Sequence, residues 1–333
     1  MHPGTVACNV CKNLVGRDHD LAWRKDGYEI LRCPSCGLLF RSDLPFPEDL
    51  PALYAGSYFR AEERSRRGEG YADYLAEEEL HRLNARRRLT LIERLVRPGA
   101  LLDVGCAAGY FLDEARRRDW EVTGVELSPE MASWAADKVG IDEVIQGSFS
   151  THEWADAGFD CVTMWDYIEH TLDPASELRL ARRLLRPGGL LALSTGDVGS
   201  VLARFSGRRW HLLTPQHHNY FFTRKSLALA LERADLTVLS TSCLSSRYSV
   251  RHLVHKLRTL SDVRPLRGIE RRLGASSAGS VSIPLNLWDI ITVIARAELR
   301  FEAPLSGHPG FAGASVRPAV PNGGEGHDRT ELP

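Results

Sequence analysis

Residues 101–127 read LLDVGCAAGYFLDEARRRDWEVTGVEL, and the order of residue types in this stretch decides the fold class. Leu101, Leu102 and Val104 predict a strand buried on both faces. Gly105 and Gly109 predict a tight turn whose backbone can approach a ligand with no Cβ in the way. A helix follows, with its N-terminal N–H groups presented to that ligand. After Trp120 the chain alternates through Val122, Gly124 and Val125 and ends at Glu126, a carboxylate placed to accept hydrogen bonds from both hydroxyls of a ribose. The stretch is one βαβ unit built around a nucleotide.

The dinucleotide fingerprint GxGxxG fits this turn badly, because Ala107 and Tyr110 occupy its second and third glycine positions. NAD is therefore disfavoured. The pattern DxGxxxG from Asp103 to Gly109 instead resembles the first motif of class I S-adenosylmethionine (SAM) methyltransferases. That resemblance implies roles for Asp103 in orienting the glycine loop, Gly105 and Gly109 in packing on the cofactor, and Glu126, with Leu127 beside it, at the ribose. The family usually carries glycine where this chain has Ala107, which leaves less room in the loop.

A length of 333 residues with 43% hydrophobic content is ample for one large domain plus smaller attachments. A net charge of -1 argues against a general nucleic-acid binder. The segment MHPGTVACNV has no apolar signal run and no stretch reaches the length of a membrane span, so a cytoplasmic protein is expected. Seven cysteines in such a chain point to metal or free thiol. Four of them form two pairs, Cys8-x-x-Cys11 and Cys33-x-x-Cys36. Each pair predicts a knuckle in which backbone N–H groups face thiolate sulfur, and tetrahedral structural zinc is the natural occupant. Cys106, Cys161 and Cys243 read as small core residues.

Prolines 45, 47 and 51 mark a linker, and Tyr54 and Tyr58 either line a substrate pocket or dock that linker. Leu80, Leu83, Ile92 and Leu95 suit amphipathic helix between Tyr71 and Leu95, with the Arg86, Arg87, Arg88 run on its solvated face. Ser128 and Pro129 open a helix, as N-cap and first-turn residue. Strand three is expected at Val144–Gln146, with Ser148 after it as a contact for adenine and Phe149 over the adenine face. Strand four is expected at Phe159–Met164, strand five at Leu190–Ser194 after the Pro-Gly-Gly turn, strand six at Leu236–Thr241, and strand seven at Leu287–Ala295.

The loop WDYIEHTLDP after strand four resembles the place in the family where cofactor and substrate meet, which puts Trp165 and Asp166 at the methionine end of SAM. Glu169 and His170 read there as cap and packing groups or as site residues. WHLLTPQHHNYFFT, residues 210–223, resembles a block of zinc-ribbon methyltransferases acting on sugars and natural products. In those enzymes a histidine before the aromatic pair takes the substrate proton. By position that histidine is His218, and His217 stands where relatives often carry Glu.

The expected organisation is a zinc ribbon over 1–45, linker and cap helices over 46–85, a methyltransferase domain over 86–300, and a disordered tail over 301–333. Within the domain lies a basic helical insertion, 243–286, whose stretch 247–272 reads as a lid, an edge helix or a weak contact with a membrane surface. The fold class expected is α/β, a Rossmann-like sheet of seven strands with the class I topology. The function expected is methyl transfer from SAM to an oxygen or carbon of a small-molecule acceptor such as a sugar, glycolipid or natural-product intermediate. The candidate proton acceptors are His218, His217 and His170, and the cofactors are SAM and zinc. The alternatives are a SAM-fold binding protein without activity and an NAD-dependent oxidoreductase.

Overall fold

In the computed structural model, which describes residues 4–53, 59, 74–156, 158–244, 246–250, 253–254 and 281–298, the two cysteine pairs lie at the turns of a small β structure. β1 (Thr5–Ala7) and β2 (Leu14–Gly16) form a hairpin around the first pair. β3 (Leu21–Lys25), β4 (Tyr28–Arg32) and β5 (Leu39–Arg41) follow as an antiparallel sheet around the second. The residue after each pair, Lys12 and Gly37, has positive φ, which turns the chain back on itself. A fourth strand of this sheet comes from far along the chain and is described below.

The main sheet is built from β6 (Ala100–Val104), β7 (Glu121–Glu126), β8 (Val144–Gln146), β9 (Phe159–Trp165), β10 (Leu185–Gly196), β12 (Leu236–Ser242) and β15 (Ile290–Ala297). Its order is β12-β15-β10-β9-β6-β7-β8, parallel except for β15, which runs antiparallel between β10 and β12. This is the seven-stranded topology expected. Successive residues of β6 point to opposite faces, so Leu101 joins one apolar cluster and Leu102 the other. The Leu101 cluster includes Leu89 and Ile92 of α1 (Glu78–Ile92) and Leu112 of α2 (Tyr110–Arg116). The Leu102 cluster includes Leu178 of α4 (Pro174–Leu184) and Leu227 of α6 (Arg224–Glu232). α3 (Pro129–Trp134) and α5 (Val201–Ser206) complete the labelled helices.

Several boundaries differ from expectation for identifiable reasons. β10 begins at Leu185 rather than Leu190, because Leu185 already pairs with Phe159 before an irregularity carries the chain past the Pro-Gly-Gly turn. β15 begins at Ile290, since Asn286 caps the Trp288 N–H at 2.9 Å and Trp288 has positive φ, a turn rather than a strand. Ser128 stands at the N-cap of α3, but its hydroxyl makes no cap bond, and its N–H is held by Glu126. Cys106 and Cys161 are buried as expected, whereas Cys243 is half-exposed beside Arg224.

The strand missing from the ribbon sheet is β11 (Tyr220–Phe221), which pairs with β5 at its edge. β13 (Ser246–Ser249) and β14 (Ser282–Leu285) form a hairpin that bounds the insertion. The remainder of the basic stretch 247–272, apart from 247–250 and 253–254, lies outside the described residues, as do Tyr54, Tyr58 and the tail 301–333. Among the described residues no helix is long and apolar enough to cross a membrane.

Candidate active site

The C-terminal ends of β6, β7 and β9 open on a cavity of about 740 Å³. Its floor is the turn after β6. Gly105 has φ 76°, and a Cβ there would come within 2.8 Å of the Tyr167 ring. Gly109 has φ 77°, and its Cβ would meet that of Ala135 at 2.9 Å. Both positions therefore require glycine on steric and conformational grounds. Ala107, between them, also has positive φ, at 48°. An alanine held there carries a cost on the order of 1 kcal/mol that glycine avoids.

Glu126 ends β7 and is buried against that turn. Its Oε2 accepts from the Ala107 N–H at 2.9 Å and its Oε1 from the Ser128 N–H at 2.7 Å. Burial pushes its carboxyl up, and the backbone donors oppose that shift. Asp103, 3% exposed, accepts from the Thr163 hydroxyl at 2.6 Å. Burial pushes Asp103 up to about 7, with Thr163 and Arg88 pulling it back.

One wall comes from α1 and the residues just before it, where Glu77, His81, Asn84 and Arg88 recur at helical spacing and all line the cavity. Arg88 is thus not on a solvated face. Its guanidinium lies 4.5 Å over the Trp165 ring and pairs with Asp166 Oδ2 at 3.1 Å. Asp166, at positive φ, also accepts from the Ser194 hydroxyl at 2.8 Å. His81 stacks on Tyr74 at 4.0 Å, and its burial lowers its pKa to about 3.

The cavity is also lined by His170, which ends the one-turn 3-10 helix Ile168–His170. The His170 Nδ1 lies 3.0 Å from the His217 carbonyl oxygen. A carbonyl can only accept, so the proton of the neutral ring sits on Nδ1 and Nε2 is the accepting nitrogen. Burial lowers the pKa of His170 to about 4, aided by the charge of His217 when that ring is protonated. The ring of His218 packs edge-on to His170 at 4.7 Å, with its own Nδ1 2.9 Å from the Leu212 carbonyl oxygen. Glu169, His170 and His218 bring side-chain heteroatoms within 4.8 Å of one another, and burial together with the nearby Asp166 raises Glu169 to about 8.

Residues 76–241 match the family model described as a methyltransferase domain. The chain is 31% identical over 208 residues to the ubiquinone biosynthesis O-methyltransferase of Xanthomonas oryzae pv. oryzae, covering 54% of this chain and 84% of that protein. It is 31% identical over 175 residues to the protein of the same name from Xanthomonas campestris pv. campestris, covering 49% and 73%. The chain belongs to the class I SAM-dependent methyltransferases. Among solved structures, it is similar to the 1,6-didemethyltoxoflavin-N1-methyltransferase of Burkholderia thailandensis, with TM-score 0.47 and 18% identity over 84% of this chain and 100% of that one.

SAM is accordingly the methyl donor of this methyltransferase, and an oxidoreductase reading is set aside. Of the residues the sequence singled out, Asp103, Gly105, Glu126, Leu127, Ser148, Trp165, Asp166 and His170 line one cavity. Gly109 stands behind the loop as the N-cap of α2. His217 and His218 do not line it. His218 borders a small separate void with Glu169 and Trp210, on the far side of the His170 turn. Arg88 and His81 were missed, although their spacing with Asn84 on one amphipathic helix was a usable signal.

Away from the cavity, Cys8, Cys11, Cys33 and Cys36 are all buried, with sulfurs within 4.8 Å of one another. Cys8 Sγ lies 3.6 Å from Cys36 Sγ, and Cys11 Sγ 3.3 Å from Cys33 Sγ. The N–H groups of Val10 and Cys11 face the Cys8 sulfur, and those of Ser35 and Cys36 face the Cys33 sulfur. Ligand to ligand, this spacing is near that of four thiolates about 2.3 Å from a common centre.

Proposed function

We propose that the chain transfers a methyl group from SAM to a hydroxyl oxygen of a small molecule, a sugar, glycolipid or other natural-product intermediate, with His170 taking the proton. The observation that carries this reading is that His170 lines the same cavity as Gly105 and Glu126. The relatives' name, O-methyltransferase, favours oxygen over carbon. Bound SAM supplies a methyl group on a sulfonium, an already excellent leaving group.

The residues then have positional tasks. Glu126 holds the ribose hydroxyls with the lone pairs its two backbone bonds leave open. Ser148 and Phe149 border the adenine end, and Arg88 offers its charge to the carboxylate of the amino-acid end beside Trp165 and Asp166. Asp103, at the start of the loop, is fixed to β9 by the Thr163 hydroxyl. His170, neutral at neutral pH, accepts the hydroxyl proton on Nε2 as transfer proceeds, and His218 and Glu169 support it from behind. The four cysteines hold one structural zinc, which staples a segment too small to keep its own core.

Native mass spectrometry of the purified chain tests the two bound groups, with the expected masses of one zinc and of SAM or its demethylated product. Purified enzyme with labelled SAM, offered nucleotide sugars, glycolipids and phenolic hydroxyl compounds, tests the acceptor class. Label in an O-methyl ether is the expected outcome, and label only in C-methyl or N-methyl products would overturn the reading.

A further inference from the structure

We infer that Asn219 is a positioning residue that fixes the turn carrying His170 from the N-terminal ribbon. The inference rests on the proposed role of His170. Asn219 is 2% exposed and does not line the cavity, so it touches neither cofactor nor acceptor. A buried amide side chain is costly unless both its ends are bonded, and here both are.

The turn Ile168–His170 is a single 3-10 turn, and Thr171 after it is extended. Such a turn cannot satisfy its own last carbonyls. Asn219 does so for three in succession. Its backbone N–H donates to Glu169 O at 2.8 Å, and its Nδ2 donates to His170 O at 2.9 Å and Thr171 O at 3.2 Å. On its other side Asn219 accepts twice from Arg41, its carbonyl from the Arg41 N–H at 3.0 Å and its Oδ1 from the guanidinium at 3.3 Å.

Arg41 is itself fixed within the ribbon, at the end of β5. It is 7% exposed, lies 4.3 Å over the Tyr28 ring and pairs with Asp43 at 3.5 Å. Two further bonds run the same way. Tyr220 Oη donates to Leu172 O at 2.8 Å, and Asn9 Oδ1, inside the first cysteine knuckle, accepts from the Ala175 N–H at 3.0 Å. The segment from Glu169 to Ala175 is therefore bonded to the ribbon and to the strand joined to it. The ring of His170 is set by the same loop, since its Nδ1 meets the carbonyl of His217, two residues before Asn219.

Neither aspartate nor leucine replaces this asparagine. It donates to two carbonyls while accepting from a guanidinium, which aspartate cannot do without facing carbonyl oxygens with a carboxylate. Leucine of similar volume would leave the carbonyls and the guanidinium unpaired.

The test reads the imidazole directly, without turnover. Full-length protein labelled with ¹⁵N in its histidine rings gives two-bond ¹H–¹⁵N spectra in which each tautomer has its own pattern, and His170 is assigned by its loss in His170→Gln. Wild type is expected to show His170 in the single Nδ1–H form. In Asn219→Ala the pattern is expected to move toward an average of both tautomers, while SAM affinity by calorimetry stays within about twofold because Asn219 bonds neither the glycine loop nor Glu126.

A wild-type His170 pattern in folded Asn219→Ala overturns the inference. So does a loss of SAM affinity beyond about tenfold, which would make Asn219 a general stabiliser of the whole site. If Asn219→Ala has no cooperative melting transition, Arg41→Ala decides in its place, and an unchanged His170 pattern there overturns the link to the ribbon. A His170 that turns out not to carry the proton would leave these spectra as expected, so the two readings fail separately.

Discussion

The two ends of the cavity are built in opposite ways. The cofactor end is centred on one continuous stretch, in which the turn after β6 and the acid closing β7 are bonded to each other, Glu126 to Ala107 and Ser128. The end proposed to take the acceptor rests on pieces distant in sequence, the Ile168–His170 turn being held by the 217–221 loop and, through it, by the ribbon strand β5. A local site tolerates change elsewhere in the chain, whereas an assembled one depends on every piece being in place. Substitutions should therefore separate cofactor binding from proton transfer.

The largest effect is expected at the acceptor end. His170→Gln should slow single-turnover methyl transfer by about 10²- to 10⁴-fold, with SAM affinity near wild type. Because burial holds the wild-type ring near 4, its neutral form persists through neutral pH, and the acid limb of the rate profile should fall well below the range of an ordinary histidine. A wild-type rate in His170→Gln would take the proton-accepting role away from His170 and with it the boundary between the two ends.

Glu126→Ala comes next. Removing a buried carboxylate that braces the glycine loop should weaken SAM binding by about 1–3 kcal/mol in calorimetry. The His170 tautomer should stay as in wild type, and a change there would break the independence of the two ends.

A smaller effect concerns pH and the SAM-free protein. Asp103 is raised from 3.8 to about 7 by burial, so the folded state binds its proton more tightly than the unfolded state does. The resulting penalty is absent below about pH 4, grows as pH rises, and is complete above about pH 7. Glu177, at about 7, and Glu169, at about 8, act with the same sign at the other end. Asp103→Asn should therefore raise the thermal midpoint more at pH 8 than at pH 5, and leave the part due to the two glutamates. An equal gain at both pH values would show that Asp103 is not held in a protonation-sensitive state.

The smallest effect is expected at Ala107. Glycine there relieves a left-handed alanine and should change stability by less than about 1 kcal/mol in either direction, because the unfolded chain also gains freedom. Denaturant melts with unchanged slope would check it.

This contrast also explains what could be read from the sequence. Leu101 to Glu126 announced strand, turn, helix and acid in order because each signal is local, and the antiparallel β15 followed from the topology of the family it resembled. Arg88 was misplaced because a run of three arginines looks solvated until the helix is rotated, when one of them turns inward with Asn84 and His81. His218 stood out through its neighbours in sequence, but the loop folds so that its neighbour in space, His170, faces the cavity instead. Asn219 and Arg41 meet across most of the chain, and no spacing rule connects them.

The pairing of β11 with β5 has a consequence for biosynthesis. Tyr220 faces Phe40, so β5 emerges from the ribosome about 180 residues ahead of the strand that will cover it. At a synthesis rate of about 5–20 residues per second, the ribbon waits roughly 10–40 s with an open sheet edge. During that interval early closure of the cysteine knuckles would guard the nascent chain against pairing with its neighbours, and completion of the ribbon would coincide with the bonding of the His170 turn.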